Sequence, residues 1–365
     1  MNKLSIYGLL IFILFASSNF AHTTPSKAGK SNKTRRITLA MLAETRFQQG
    51  SASINHQEMI RIPSGTFMMG GDSDQANNDE LPKHAVTISS FWLDKNEVTN
   101  RAFKQFVMAT HYQTIAEKKP EWEVIKKQLP EGTPKPDAKK LVPASLVFTP
   151  PKLPVSLEDA SQWWSWRSGA NWQHPQGPNS SIVGKDNLPV VHVSWLDAKA
   201  FCEWQGKRLP TEAEWEWAAR GGLENKIYPW GNEPLDQGKA KANTWDGEFP
   251  YHNTLRDNFA NSAPVRSFPP NGFGLYDMAG NVWEWVNDWY RTDYYTSLRH
   301  ARVIDPQGPE KSYDPKEPKV PKKVTRGGSF LCSESYSTGY RVSSRMKFSP
   351  ETTMEHLGFR CASSS

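Results

Sequence analysis

Proline and glycine interrupt this chain so often, 27 and 24 times in 365 residues, that few segments can run far as a helix or strand. Proline fixes φ and removes a backbone donor, and glycine loses more freedom on ordering than any other residue. Fifteen tryptophans accompany them, and such large flat side chains fill the space between irregular segments. The expected body therefore has little helix or strand, wrapped around an aromatic-rich core.

The N-terminus reads differently. Lys3 is followed by the apolar run Leu9–Phe15 and then by small residues. That run is shorter than the roughly 20 residues a membrane helix needs and has the layout of a secretory signal. Cleavage is expected between Ala16 and Ala21, which gives a signal peptide over 1–21 and an exported, periplasmic or secreted protein with no stable membrane span afterwards. An uncleaved anchor is the alternative.

Residues 22–57 read as a basic linker, too polar to bury a core. Six basic residues lie before position 37, with no acidic one, and the 38 Lys and Arg that remain match the 38 Asp and Glu. The body, 58–363, is thus neutral overall, and nucleic acid is not an expected partner.

Within the body, Arg61–Gly70 reads as a strand and turn, and Ala85–Leu93 as a second strand. Thr99 is placed to cap a helix bearing Phe103, Phe106 and Val107. Residues 112–155 show little period and read as a surface excursion. Pro189–Ser194 reads as a buried strand leading to Ser194 as N-cap of a helix that ends near Trp204, with Gly206 as its stop. Thr211 and Glu214 form a capping box for the next helix.

Seven stretches then occur in a recognisable order: Gly169-Ala-Asn-Trp-Gln-His-Pro-Gln-Gly-Pro178, Val193-Ser-Trp-Leu-Asp-Ala198, Gly206-Lys-Arg-Leu-Pro-Thr-Glu-Ala-Glu-Trp-Glu216, Pro229-Trp-Gly-Asn232, the Asn271–Trp285 run, Arg326-Gly-Gly-Ser-Phe330 and Gly358-Phe-Arg-Cys361. Together they resemble the formylglycine-generating, or sulfatase-modifying, enzyme family. The resemblance implies one α+β domain of low secondary-structure content, related to C-type lectins. Some of these signatures also mark relatives with other functions, so they identify the fold before the reaction. The first stretch is more typical of the sulfatase-modifying branch.

The resemblance also assigns roles. It implies two copper(I)-binding thiolates spaced Cys-x-x-x-x-Cys after the Arg-Gly-Gly-Ser turn; the first position here is Cys332, but the second is Ser337. Copper(I) is soft and prefers thiolate, which a serine hydroxyl cannot replace. Cys332 and a substrate cysteine would still supply two sulfurs. His356 stands where animal family members carry Asn. Cys202 and Cys361 match a family disulfide, while Ala219 and Val342 occupy both places of a second, absent one. This pairing leaves Cys332 as the odd thiol.

By the same resemblance, Ser329 sits beside the metal and the reacting oxygen, and Trp283, Tyr336 and Arg345 line a peptide groove. Asn243, the Thr244 carbonyl, Asp257 and the Phe259 carbonyl match one calcium site. Asp277, the carbonyls of Gly280 and Val282, and Glu284 match another, where the Asp277 charge, in place of an amide, should strengthen binding. Calcium accepts such mixed oxygen sets. For each of these positions an ordinary structural role is the alternative.

The expected function is oxidation of a cysteine in a Cys-x-Pro-x-Arg motif of an unfolded sulfatase polypeptide to formylglycine, using O2 and copper. The alternative is a non-catalytic peptide-binding paralogue, favoured by Ser337. An iron-dependent sulfoxide synthase would need a companion helical domain and a His-x-x-x-His-x-x-x-Glu arrangement, and the chain offers neither.

Overall fold

The computed structural model describes residues 56–126 and 132–365, so the expected signal and nearly all of the linker lie outside the described residues. Fourteen short strands and five helices are described. The strands are β1 Met59–Ile62, β2 Gly65–Met69, β3 His84–Ile88, β4 Phe91–Asp94, β5 Ala144–Phe148, β6 Trp164–Ser168, β7 Gly247–Glu248, β8 His252–Asn253, β9 Trp283–Trp289, β10 Val303–Ile304, β11 Lys323–Arg326, β12 Met346–Phe348, β13 Leu357–Phe359 and β14 Ala362–Ser364. The helices are α1 Asn100–Thr110, α2 Trp122–Ile125, α3 Trp195–Trp204, α4 Glu212–Arg220 and α5 Tyr294–Leu298.

These strands form small separate sheets in the orders β1-β4-β14, β10-β3-β2 and β12-β11-β9-β13, with β5-β6 and β7-β8 as pairs. The fold is α+β with sparse regular structure, and among the described residues no helix is long and apolar enough to cross a membrane. Strand β9 joins two cores by simple alternation. Trp283 and Trp285 face the aromatic core that also holds Cys332, whereas Val286 packs with β2, β3 and α4.

Local signals placed the helices well. The Thr99 hydroxyl accepts the Ala102 N–H at 3.3 Å, and Ser194 with Asp197, like Thr211 with Glu214, closes a capping box. Three expectations need correction. Residues 85–93 are two strands in different sheets, because the Asp305 carboxylate binds the backbone N–H and hydroxyl of Ser89 at 2.7 and 2.6 Å and fixes the break. Pro189–Ser194 is buried but pairs only at Pro189; His192 has φ 59° and its ring bonds the Ser145 hydroxyl at 2.7 Å and the Pro175 carbonyl at 2.8 Å. Finally, the supposed excursion 112–155 contains β5, all five residues of which are buried against β6 and residues 353–355.

Cys202 in α3 and Cys361 beside β14 form a disulfide across 159 residues. Closing a loop of that length stabilises by about 5 kcal/mol in the chain-entropy model, less any strain. Reduction, or Cys202→Ala, should therefore lower the denaturation midpoint sharply. A reduced protein with an unchanged midpoint would count against the bond as a stabilising link.

Candidate active site around Cys332

The turn after β11 brings the site together. Gly327 and Gly328 have φ 93° and 78°, in the left-handed region that glycine enters freely. A Cβ on Gly328 would lie 2.7 Å from the backbone of Gly339 and Tyr340, so only glycine lets these two loops touch. Gly339 is equally constrained: its Cβ would meet the Trp283 ring at 2.5 Å and the Cys332 sulfur at 2.9 Å. Trp283 and Cys332 are thus close neighbours on either side of a glycine.

Ser329 is fully buried, and its backbone N–H points at the Cys332 sulfur, 3.3 Å away. Its hydroxyl accepts the Leu331 N–H at 3.3 Å and shares a 3.0 Å hydrogen bond with His356 Nδ1. The Cys332 sulfur lies 3.9 Å from the Ser337 hydroxyl. Around them stands an aromatic wall. Tyr336 stacks on Phe249 at 4.5 Å and meets Trp163 edge-on at 5.6 Å, while Trp164 packs edge-on against His356 at 4.8 Å. Burial, aided by Cys332, pushes the Tyr336 phenol up to about 12, so it remains a proton donor at neutral pH.

Burial pushes the His356 imidazole down to about 3, with His192 adding to the effect, and burial alone holds His192 near 4. Both rings are neutral at pH 7. A depressed folded pKa contributes stability above the unfolded value, near 6.5, and that stability is lost as pH falls through 4 and then 3. In acid titrations, His356→Asn should flatten the lower part of this loss. An unchanged acid limb would remove His356 as its cause.

Cys332, Ser329, Trp283 and Tyr336 lie close to one another, but Arg345 does not join them. Its guanidinium binds both oxygens of Glu212, at 2.6 and 2.9 Å, and the Asp79 carbonyl at 2.8 Å. It is buried over the Tyr295 ring at 4.4 Å. A peptide-holding role is corrected here to a core ion pair. The aromatic partners Trp163 and Phe249 and the His192–Ser145 pair were not singled out in the sequence; only their apolar surroundings hinted at burial.

The calcium assignments meet a mixed donor set. Asn243 donates to the Asn261 carbonyl at 2.9 Å and to Asn281 Oδ1 at 3.1 Å, leaving its own Oδ1 buried without a hydrogen-bond partner. Asp257 accepts from the Thr244 and Phe259 N–H groups, each at 2.9 Å. At the second place, Glu284 is already held by Arg360 through two 2.7 Å bonds and by the Trp215 indole at 2.9 Å.

Asp277 accepts the Arg266 N–H at 2.8 Å and faces Glu97, a residue the sequence reading passed over. Burial, then Asp277 and Glu284, push the Glu97 carboxyl well above the usual range, and its Oε2 has no hydrogen-bond partner. Glu97, Asp277 and Glu284 thus lie near the Arg360 guanidinium. Among the described residues no three His, Cys, Asp or Glu side chains converge to hold a metal on their own, so the carbonyls of Gly280 and Val282 would have to complete such a site. Asn281 ties the two places together by bonding both Asn243 and Glu97, at 3.1 and 3.0 Å.

Comparison with known proteins places this geometry among relatives. The family described as the Sulfatase-modifying factor enzyme 1-like domain matches residues 45–365. The formylglycine-generating enzyme of Thermomonospora curvata is 46% identical over 306 residues, 83% of this chain and 92% of that protein. The Inactive C-alpha-formylglycine-generating enzyme 2 of Mus musculus is 37% identical over 333 residues, 90% of this chain and 92% of that one. The structure of PvdO from Pseudomonas aeruginosa shares the fold, with a TM-score of 0.53 at 24% identity over 84% of this chain and 94% of the other.

Proposed function

The chain belongs to the sulfatase-modifying factor enzyme 1-like family, and we propose that it oxidises the cysteine of a Cys-x-Pro-x-Arg segment, in an unfolded sulfatase polypeptide, to formylglycine with O2. The observation that carries this reading is the Cys332 thiol, buried between Trp283 and the Ser329 turn. The chain alone offers copper(I) one soft donor there, Cys332, and the substrate cysteine would bring the second. Bound copper(I) would supply the one-electron chemistry by which O2 reacts.

The chain's own groups have separable tasks. The Ser329 N–H stabilises negative charge on the Cys332 sulfur, and the shared bond with His356 fixes the direction of the Ser329 hydroxyl. The aromatic wall of Tyr336, Phe249 and Trp163 excludes water. Incubation of a Cys-x-Pro-x-Arg peptide with copper-supplied protein under air, followed by hydrazide capture and mass spectrometry, should reveal the aldehyde. Cys332→Ala should yield none. A peptide left unmodified by the wild type would end the oxidase reading.

One observation favours a second reading, a peptide-binding protein without catalysis: Ser337 stands where a thiolate is implied. The 37%-identical relative named as inactive adds weight to it. Copper(I) stoichiometry separates the two, since the oxidase should bind the ion far better with substrate peptide than without.

We also propose structural calcium at the Asn243–Asp257 and Asp277–Glu97 places, and export to an oxidising compartment, which the Cys202–Cys361 bond supports. A ligand at a hundredfold excess over its Kd stabilises by about 2.7 kcal/mol per site. Chelation should accordingly lower Tm by several degrees from the metal-loaded state. Identical melting curves with and without chelator would remove both sites.

A further inference from the structure

The buried polar atoms without hydrogen-bond partners do not all lie at the proposed calcium places. Two of them belong to residues that line one small cavity of about 70 Å³, more than the roughly 30 Å³ share of one water. The cavity adjoins the site around Cys332 without being part of it. Phe330 and Glu355 stand in its wall, next in the chain to Ser329 and His356, but neither Ser329, Cys332 nor His356 lines it. Lys185 and Asn261 are its exposed lining residues and mark where it meets the surface.

Trp172 and Asn100 supply the two atoms. The Trp172 side chain is 1% exposed, yet its indole N–H has no hydrogen-bond partner. Asn100, the first residue of α1, is 4% exposed; its Nδ2 donates to the Lys185 carbonyl at 2.9 Å, which leaves Oδ1 as an unpaired acceptor. Glu355 adds a buried carboxyl. One of its oxygens accepts the Phe148 N–H at 2.9 Å and the other accepts the Gln176 amide, so each keeps room for a second donor.

This lining calls for one acceptor, to meet the indole, and two donors, to meet Asn100 and Glu355. A primary carboxamide carries that set, a carbonyl and two N–H bonds in one plane. A carboxylate brings no donor, and an ammonium or amidinium brings no acceptor. Either leaves a buried group unpaired, which is unfavourable. Water can serve the same atoms, but the rest of the wall, including Leu188, Pro189, Val191 and Phe330, is apolar and offers water nothing. It suits a short aliphatic stem behind the carboxamide, and a mostly apolar wall with a few placed polar groups is the usual make-up of a small-ligand site.

We propose that this cavity binds a primary carboxamide on a short aliphatic stem, carried either by a free amide or by an Asn or Gln side chain of a polypeptide. The site is independent of the oxidase reading. The test uses the full chain and three probes of one shape, acetamide, acetate and acetamidinium, and follows the indole N–H signals of tryptophan-labelled protein by NMR, with Trp172 assigned through Trp172→Phe. Acetamide should shift the Trp172 signal and saturate in the millimolar range, as suits so small a ligand. Acetate and acetamidinium should bind at least about tenfold more weakly, the effect of one buried group left unpaired. Trp172→Phe keeps a ring to pack edge-on against Phe103, now at 5.3 Å, but removes the donor. By calorimetry it should bind acetamide about tenfold more weakly.

The three probes on wild type decide the question even if Trp172→Phe fails to fold. Equal affinity for all three would show a cavity that does not read hydrogen bonds, and no shift with any of them would leave it to water alone; either result overturns the proposal. Displacement of acetamide separates the two sources. L-Glutamine as the only competitor would assign a free amide, and a Gly-Gln-Gly peptide blocked at both ends without a terminal carboxamide would assign a polypeptide side chain; either upholds the site. Displacement by neither would mean that the cavity admits no stem, which overturns the proposal.

Discussion

Ser337→Cys should raise copper(I) affinity by roughly a thousandfold, about 4 kcal/mol, and raise peptide oxidation with it. The argument starts from ligand softness: a hydroxyl is a hard, neutral donor, and a thiolate is the donor that copper(I) prefers. Geometry permits the exchange. The Ser337 hydroxyl lies 3.9 Å from the Cys332 sulfur, inside the span of about 4.6 Å that two metal–thiolate bonds of about 2.3 Å reach. The Ser337 backbone N–H is held independently of the side chain, by the Ser333 carbonyl at 2.8 Å.

Cys332→Ser should abolish activity in either background. Ser337→Ala should change little, because the hydroxyl it removes contributes little to a soft ion. Competition with a copper(I) chelator measures the affinity, and peptide turnover measures its use. No gain in affinity for Ser337→Cys would mean that position 337 does not face the metal place. A gain in affinity with the peptide cysteine still intact under O2 would leave the binding-protein reading standing alone.

What the sequence disclosed and what it hid divide along the range of the interactions. Helix starts at Thr99, Ser194 and Thr211 depend on a side chain bonding its own neighbourhood, and those caps are legible at once. The break at Ser89 depends on Asp305, more than 200 positions away, and the irregular path at His192 depends on Ser145 and Pro175. No local period reports such contacts. Strand β5 was hidden because its five residues are buried on both faces and so show no alternation. In the site, Ser329, Cys332 and Tyr336 follow one another on the loop after β11, and Trp283 meets Cys332 from β9 across Gly339. Glu97 and Asn281 escaped notice because their significance is the charge and amide set that the fold brings to them.

Arg345→Met should cost about 3–5 kcal/mol of stability, the range for breaking a buried ion pair, while leaving the peptide KM unchanged. Arg345 and Arg326 share Glu212 in the core, and both guanidinium groups are fully shielded. Losing Arg345 leaves Glu212 Oε2 without its 2.9 Å partner and the Asp79 carbonyl without its donor. The Arg326 bond at 3.0 Å, to Glu212 Oε1, compensates only one of the two oxygens. Against a total stability of about 5–15 kcal/mol for a native protein, such a loss is severe, and Tm should fall by about 10 °C. Glu212→Gln together with Arg345→Met should be less damaging than the sum of the two alone, since the pair then leaves together. The peptide measurement separates structure from recognition. If Arg345→Met, assayed well below its lowered Tm, raises the peptide KM tenfold while Tm stays near wild type, Arg345 turns toward the substrate in solution and the core ion pair is not its role.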